Sequence, residues 1–583
     1  MCFGEFMNIV KSKIIKILLD KQCSQREIAE KLNVSVGLIN KSIKQLSTEN
    51  IIYDTSINNN ILLKNKVNNA ILLAAGYGLR MIPINQELPK GLVNVNGEIL
   101  IERLIRQLHE KNIFNIKIVV GYMKEKFEYL IDKFGVELVV NSNYKYSNNS
   151  FSLNCVNKYI NNSYIIPADL YFSNNIFSEF EFSSYYLLSN ETKETSTFGV
   201  DKFRQLRRIN NSGFVAVGLC FIKDSDSLLF RKNLAEITIR NNNAYWEDAL
   251  FLNDFKIYCD FINDNQYVEI NTYEDLRELD SNSKNLFGSH INLILSEFKC
   301  NLEDIKEVNV VKKGMTNRSF SFRFKDKKYI VRIPGAGTSE LISRNQEYLV
   351  YQEVNKIGLC DKVIYMSAET GIKITEFIDN ARNCNPLDLN DIKLCMTKLR
   401  EFHKKNIIVK HEFNLKDNIL KYEMLKKDVS LYSDYLETKK KIFELLDIVE
   451  KLDKDYCLCH IDSVCDNFLI NDNNEVRLID WEYAGNQDPH IDIAMFAIYS
   501  GYKKEQIDQL IDIYFEDSCL ENIRYKIYAY VAICGFLWSN WCEYKYSLGI
   551  EFGEYSLLQY RYAKVYSKLA LNYFKGAKNN EQN

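Results

Sequence analysis

The chain of 583 residues is too long for one hydrophobic core, and a soft expectation of roughly 150 residues per domain divides it into about three or four units. Hydrophobic residues make up 46% and charged residues 26%, an ordinary globular mixture that excludes collagen, coiled-coil and disordered classes. The net charge of -3 gives no overall pull toward nucleic acid, so any such contact has to be local.

The fifteen cysteines are odd in number, scattered, and set mostly among apolar neighbours such as Cys220, Cys259 and Cys534, which reads as reduced, buried thiols. No apolar window approaches the roughly 18 residues of a membrane span, and the first residues lack a basic head followed by a long apolar run. The expectation is a cytoplasmic protein without membrane insertion. Sequence says nothing of its oligomeric state.

In chain order, Ile9 to Leu19 has helical spacing, Ser24-Gln25-Arg26-Glu27 opens a second helix with a capping-box pattern, and Asn33 to Ser35 turns into a third helix from Val36 to Leu46. Ile51 to Tyr53 and Asn60 to Leu63 read as the strands that follow. This segment resembles the winged-helix domains of bacterial regulators, in which the third helix, here with Asn40, Lys41 and Lys44, enters the major groove. That resemblance implies DNA as a partner through residues 1–66, where ten Lys/Arg against six Asp/Glu give +4 and leave -7 for the remainder. The same fold also serves as a protein–protein or dimerisation module.

Asn69 to Ala75 is a buried strand running into Gly76-Tyr77-Gly78-Leu79-Arg80, with Pro89-Lys90 further on. Small residues at Ala74, Ala75, Gly76 and Gly78 let the backbone close around phosphates, whose charge Arg80 and Lys90 can offset. The segment resembles nucleotidyltransferases that join a nucleoside triphosphate to a phosphorylated small molecule, and among them the phosphocholine cytidylyltransferases. That resemblance implies CTP and phosphocholine as substrates, with Mg²⁺ held by Asp169 at the end of Tyr164 to Ala168 and by Asn271 in Val268 to Thr272. Asn271 stands where many relatives have aspartate and others asparagine, and an amide ligand leaves the site one charge less negative. Asn148 to Leu153 and Tyr245 to Asp248 are candidate acceptor-binding stretches, Trp246 being suited to a quaternary ammonium.

Further on, Glu307 to Val311, Ser319 to Phe324 and Lys328 to Ile333 read as strands, with Lys312 to Arg318 a turn able to cover phosphates through Gly314, Thr316 and Asn317. Arg332 is the inward cation of the third strand, Glu347 sits on a helix where it could pair with it, and Ile372 to Ile378 would be a hinge that puts Glu376 near an adenine. Cys457 to Gly485 then packs His460, Asp462, Asn467, Asp480 and Glu482 between short apolar runs, where polar groups are costly unless they bind something. The R-I-P-G segment with Thr338, Arg344 and Glu347 resembles bacterial choline kinases. By that resemblance, and by likeness to aminoglycoside phosphotransferases, Asp462 takes the substrate hydroxyl proton, Asn467 and Asp480 hold Mg²⁺ beside ATP, and His460 braces the loop.

Trp538 and Trp541 are three apart and share a helical face. Choline has no hydrogen to donate from nitrogen, so aromatic faces and a carboxylate are the physical means of holding it, and Trp481, Trp538, Trp541, Tyr483 and Glu482 fit that need.

The fold class is accordingly multidomain α/β and α+β: a winged helix-turn-helix over 1–66, a Rossmann-like nucleotidyltransferase α/β/α sandwich over 67–287, and a two-lobed protein-kinase-like fold over 288–583. The expected activity is bifunctional, choline kinase followed by phosphocholine cytidylyltransferase, and the resemblance implies phosphocholine decoration of surface glycans. Two alternatives stay open: the same reactions on ethanolamine or a related amine, and a DNA-binding regulator that senses a metabolite.

Overall fold

Short apolar runs separated by turn residues build the first half of the chain around one mixed sheet. In the computed structural model, which describes all residues but 1, 21–22, 54–55, 314–316, 336–341, 427 and 582–583, the chain divides into two units, Met1–Val310 and Val311–Asn583. In the first unit Ser163–Pro167, Asn69–Ala74, Ile116–Val120 and Glu137–Val140 lie side by side in parallel, Leu72 facing Ile166 on one side and Ile118 on the other. Gly213–Ile222 adds antiparallel to Ser163–Pro167 and begins the mixed half of the nine-stranded sheet.

Burial on both faces explains why Ile116–Val120 reads as a continuous apolar run; its one charged residue, Lys117, reaches Glu137 at 2.6 Å. Helix Leu100–His109 packs on one face against Leu72, Ile118 and Ile166. Helix Asp224–Arg240 packs on the other against Ile71, Val119 and Ile165, which completes an α/β/α sandwich.

Ahead of the sheet, α1 (Cys2–Asp20), α2 (Gln25–Leu32) and α3 (Val36–Thr48) close on Ile14, Ile28, Ile39 and Leu46. Ser24 caps α2 reciprocally: Glu27 N–H donates to its Oγ at 3.3 Å, and Ser24 N–H donates to Glu27 Oε2 at 2.6 Å. The wing is smaller than expected. Ile52 pairs with Ile57 across it, whereas Asn60 to Leu63, expected as a strand, lies in helix Asn59–Lys64. Asparagines make the difference: Asn58 Oδ1 accepts the Asn60 N–H at 3.0 Å, and Asn65 Nδ2 donates to Ile61 O at 2.7 Å.

The winged helix is fastened to the sheet domain through α1. Lys13 pairs with Asp260 at 2.5 Å, and Lys16 pairs with Glu181, which is 1% exposed and also accepts the Tyr164 hydroxyl at 2.5 Å. The chain at Asn65 to Val67 is hydrogen-bonded to the segment beside it: Val67 N–H donates to Glu179 O and Glu181 N–H to Asn65 O, both at 2.9 Å. Asn40, Lys41 and Lys44 of α3 remain exposed.

The second unit opens on a five-stranded antiparallel sheet whose first strand, Ile305–Lys313, contains the division between units. Within that sheet Lys327–Pro334 places Arg332 opposite Ser319 and Lys373. Helix Arg344–Val354 follows, and beyond Leu389 the chain is mostly helical, ending in the long helices Glu521–Ser547 and Glu554–Glu581. A small sheet lobe and a larger helical lobe give the protein-kinase-like fold. Among the described residues no helix is long and apolar enough to cross a membrane, and the fourteen described cysteines are free.

Two candidate active sites

The first site forms where strands Asn69–Ala74 and Ser163–Pro167 end. Gly78 has φ 59, a conformation that favours glycine, and a Cβ there would come within 3.3 Å of Lys90 Cβ. At Gly76 an added Cβ would meet nothing within 4 Å, so the backbone fronts open space of the kind a phosphate needs. Lys90 pairs with Asp169 and donates to Asn271 Oδ1 at 2.7 Å, and Arg80 Nη2 donates to the same oxygen at 2.7 Å. The four residues named from the sequence are thus linked through Lys90 and Asn271. Asp169 Oδ1 is buried without a hydrogen-bond partner, an acceptor left for a cation.

Glu269 joins them and was missed. Strand Tyr267–Glu269 pairs with Leu170–Phe172 so that Glu269 faces Leu170, beside Asp169. Burial, and then the Asp169 charge, raise its pKa. The signal in the sequence was the two-residue spacing of Glu269 and Asn271 at a strand end, which restores the carboxylate that Asn271 lacks.

Trp246 requires a correction. Its ring is fully buried, 5.9 Å from Tyr186 and 6.2 Å from Phe230, and offers no face to a substrate. Polar atoms around it point to a different group: Trp246 Nε1, Tyr186 Oη and Glu247 Oε2 are all buried without partners. Burial, then the neighbouring Asp248, push the Glu247 carboxyl up to about 7. Arg208 pairs with Asp248, and Asn149 Oδ1 accepts the Trp246 N–H at 2.9 Å.

The second site occupies the stretch from Cys457 to Gly485, where Cys457–Cys459 pairs with Gly485–Gln487 and Phe468–Asn471 with Val476–Leu478. The polar residues sit in the turns these pairs leave. Ile461 has φ 68 and Asp480 φ 66, left-handed values that are costly for a β-branched isoleucine. Asp492, not foreseen, holds the first of these turns: its Oδ2 accepts the His460 N–H at 2.8 Å and its Oδ1 the Ile461 N–H at 2.7 Å. His403 Nε2 lies 2.9 Å from the same carboxylate. His460 Nε2 donates to Ile479 O at 2.9 Å, tying the two turns together, and burial lowers its pKa so that it is a neutral brace.

Asn467 Nδ2 donates to Asp462 O at 2.8 Å and to its Oδ2 at 3.1 Å. Burial, and then Asp480, push the Asp462 carboxyl up to about 7. Arg332 donates to Asp480 Oδ1 at 2.9 Å, pairs with Glu347, and lies 3.6 Å from Glu482. Asn317 Nδ2 donates to Glu482 Oε2 at 3.0 Å, and Arg344 lies 3.1 Å from Glu347. Oxygens of Glu347, Asp480 and Glu482 fall within 4.8 Å of one another, a donor set suited to a hard divalent cation. A cleft of about 520 Å³ opens here, walled by Asn317, Arg332, Glu376, Asn467 and Asp480 among others. The Glu376 carboxylate itself is engaged by Lys327 at 2.7 Å and Lys362 at 3.4 Å. Gly314, Thr316 and Thr338 lie outside the described residues.

Trp538 stands 5.7 Å from Tyr483 and 5.5 Å from Trp541, and the Lys545 ammonium lies 5.5 Å above the Trp541 ring, so that ring already faces a cation. Trp481 does not belong to the group. It is fully buried, donates from Nε1 to Leu478 O at 2.7 Å, and packs 4.5 Å from His460, which makes it a support beneath the turn and corrects its assignment to the substrate.

Fold and sites together define a protein that joins a nucleotidyltransferase to a phosphotransferase of the kinase-like class. Family profiles agree in order along the chain: Winged helix-turn-helix DNA-binding over residues 7–53, MobA-like NTP transferase domain over 70–178, and Choline/ethanolamine kinase over 308–513. The choline-phosphate cytidylyltransferase of Streptococcus pneumoniae is 34% identical over 225 residues, 37% of this chain and 98% of that protein. The chain belongs to the choline-phosphate cytidylyltransferase family, with a choline/ethanolamine kinase domain in the same polypeptide. Protein LicA of Haemophilus influenzae is 27% identical over 257 residues, 42% of this chain and 75% of the relative. The crystal structure of choline kinase LicA from Streptococcus pneumoniae aligns at 28% identity and a TM-score of 0.43, covering 48% of this chain and 99% of that one.

Proposed function

We propose that the chain phosphorylates choline with ATP and then couples phosphocholine to CTP, releasing CDP-choline and pyrophosphate. The observation that carries this reading is the presence in one chain of two constellations, Asp462, Asn467 and Asp480 near Tyr483 of an aromatic cluster, and Arg80, Lys90, Asp169 and Asn271 beside a glycine loop. We assign them to modules of residues 288–583 and 67–287, behind a winged helix of residues 1–66.

In the kinase module Asp462 accepts the choline hydroxyl proton as oxygen attacks the γ-phosphorus of ATP; a carboxyl brought up to about 7 is a better base than an ordinary aspartate. Arg332, fixed by Glu347, orients the phosphates. Tyr483, Trp538 and Trp541 surround the trimethylammonium head, each ring contributing about 0.5–2 kcal/mol, a preference that ethanolamine cannot exploit as fully. In the second reaction a phosphocholine oxygen attacks the α-phosphorus of CTP. Arg80 and Lys90 turn from Asn271 to the triphosphate and offset the charge that builds as pyrophosphate leaves. Mg²⁺ would be held by Asn467 and Asp480 in one site and by Asp169 and Asn271 in the other, where it would neutralise phosphate charge.

Purified protein given choline, ATP, CTP and Mg²⁺ is expected to yield ADP, pyrophosphate and CDP-choline in sequence. Faster turnover of ethanolamine through both steps, or no cytidylylated product from either amine, would sink the assignment. ATP and CTP as co-substrates place the reactions in the cytoplasm. The exposed face of α3 is the nucleic-acid-binding surface of the winged helix, α1 being occupied by the sheet domain.

Glu247 is our choice for the phosphocholine ammonium in place of Trp246. Its carboxyl is charged only above about 7, so a cation should bind more tightly as pH rises through that value. Tetramethylammonium, which does not titrate, is expected to inhibit cytidylyl transfer about tenfold more weakly near pH 6 than near pH 8. A flat profile would remove Glu247 from the site.

A further inference from the structure

Three tyrosines stand in a row where three neighbouring parallel strands end. Tyr77 follows Asn69–Ala74, Tyr122 follows Ile116–Val120 and Tyr144 follows Glu137–Val140, strands adjacent in that order. The Tyr77 ring lies 4.9 Å from that of Tyr122, tilted by 43°, and 5.2 Å from that of Tyr144, tilted by 52°. All three residues are half-buried, so each keeps some surface toward solvent.

The arrangement is held in place from beneath. Asn85 is fully buried; its Nδ2 donates to Tyr77 O at 3.2 Å, and its backbone oxygen accepts the Tyr122 hydroxyl at 2.9 Å. Tyr122 N–H donates to Ala75 O at 3.1 Å. Gly121 allows the loops to meet, because a Cβ there would stand 2.8 Å from both Ala75 O and Tyr144 Cβ. The rings are therefore fixed to the same loop that presents Gly76 and Gly78.

Ligands of open α/β sheets lie in the crevice outside the carboxyl ends of the strands. Here the charged groups gather at one part of that edge, since Asp169 follows Ser163–Pro167 and contacts Lys90. A triphosphate bound by them leaves its nucleoside to extend along the edge in the other direction, past Ile116–Val120 and Glu137–Val140. We infer that Tyr77, Tyr122 and Tyr144 form the wall against which the pyrimidine base of the nucleotide stacks. The inference rests on the reading of this module as a CTP-dependent nucleotidyltransferase. Stacking on an aromatic face tolerates any base, so the wall supplies affinity, and CTP and UTP should depend on it alike.

The test uses the full chain with CTP and phosphocholine. Tyr77→Ala is expected to raise KM for CTP about tenfold and to weaken competition by UTP in proportion, with KM for phosphocholine and inhibition by tripolyphosphate unchanged. Tyr77→Phe, which keeps the ring, should behave as the parent. Should Tyr77→Ala fail to fold, Tyr144→Ala is read in the same way. The inference is overturned if phosphocholine KM rises in place of that for CTP, if tripolyphosphate weakens equally, or if Tyr77→Phe is as impaired as Tyr77→Ala. A parent protein that binds CTP in equilibrium dialysis yet makes no cytidylylated product refutes the reaction assigned to the module; loss of that CTP binding in Tyr77→Ala, or its retention, then decides the wall separately.

Discussion

Asp462→Asn is expected to lower choline phosphorylation by about 10²- to 10⁴-fold while leaving CDP-choline formation from supplied phosphocholine at the parent rate. The replacement has the same shape, and its amide oxygen can still accept from Asn467 Nδ2, which lies 3.1 Å from the present carboxylate. What it cannot do is take a proton. Stability should move in the opposite direction from activity. A carboxyl whose pKa is raised on folding, here to about 7, gives a stabilising contribution that is full below the ordinary aspartate value and is lost as pH rises through about 7. At pH 8 the parent therefore holds a charge its surroundings disfavour, and the amide variant should unfold at an equal or higher urea concentration. Kinase activity within threefold of the parent in an ADP-release assay would exclude Asp462 as the base.

Asp492→Ala should abolish kinase activity for a different reason and should cost about 3–5 kcal/mol of stability in urea unfolding of the kinase unit. One fully buried carboxylate serves the backbone N–H groups of His460 and Ile461 and the ring of His403. Two orphaned buried N–H groups cost about 1–3 kcal/mol each, and the left-handed Ile461 loses the contact that maintains it. Asp492→Asn, which keeps one acceptor oxygen, is expected to recover part of the stability, and neither variant should alter cytidylyl transfer. Normal phosphorylation by Asp492→Ala would show that the turn is set by its own sequence.

These two aspartates also show what could be read from the chain. Asp462 stands in a polar cluster between short apolar runs, so its chemistry was visible; Asp492 is embedded in Ile491 to Ile498, an otherwise apolar run of helix, where a carboxylate looks like an isolated exception. Arg80 and Lys90 were legible because a strand running into a glycine loop marks a phosphate site, and Asp169 and Asn271 only through the resemblance to phosphocholine cytidylyltransferases. Glu269 was not, since the neighbouring Asn271 drew attention to an amide. Spacing alone does not fix burial: Trp538 and Trp541 share a helical face, yet Trp538 is buried and Trp541 half-buried, while Trp246 and Trp481 are wholly inside the core. Asn60 to Leu63 failed as a strand because the decisive groups were the flanking asparagine side chains.

The fastening of α1 alters what a truncation would mean. A protein cut at residue 67 would not be the same enzyme relieved of a detachable head. Glu181, nearly inaccessible to water, would lose the counter-ion supplied by Lys16; Phe182 would lose the helical core it packs against, and the backbone at Glu179 to Glu181 would lose the bridge to Lys66 and the hydrogen bond to Asn65. Such a fragment would bare an unpaired backbone edge next to an aromatic ring, the combination from which aggregation starts, so poor yield of the shortened protein would report a missing surface and not a missing activity.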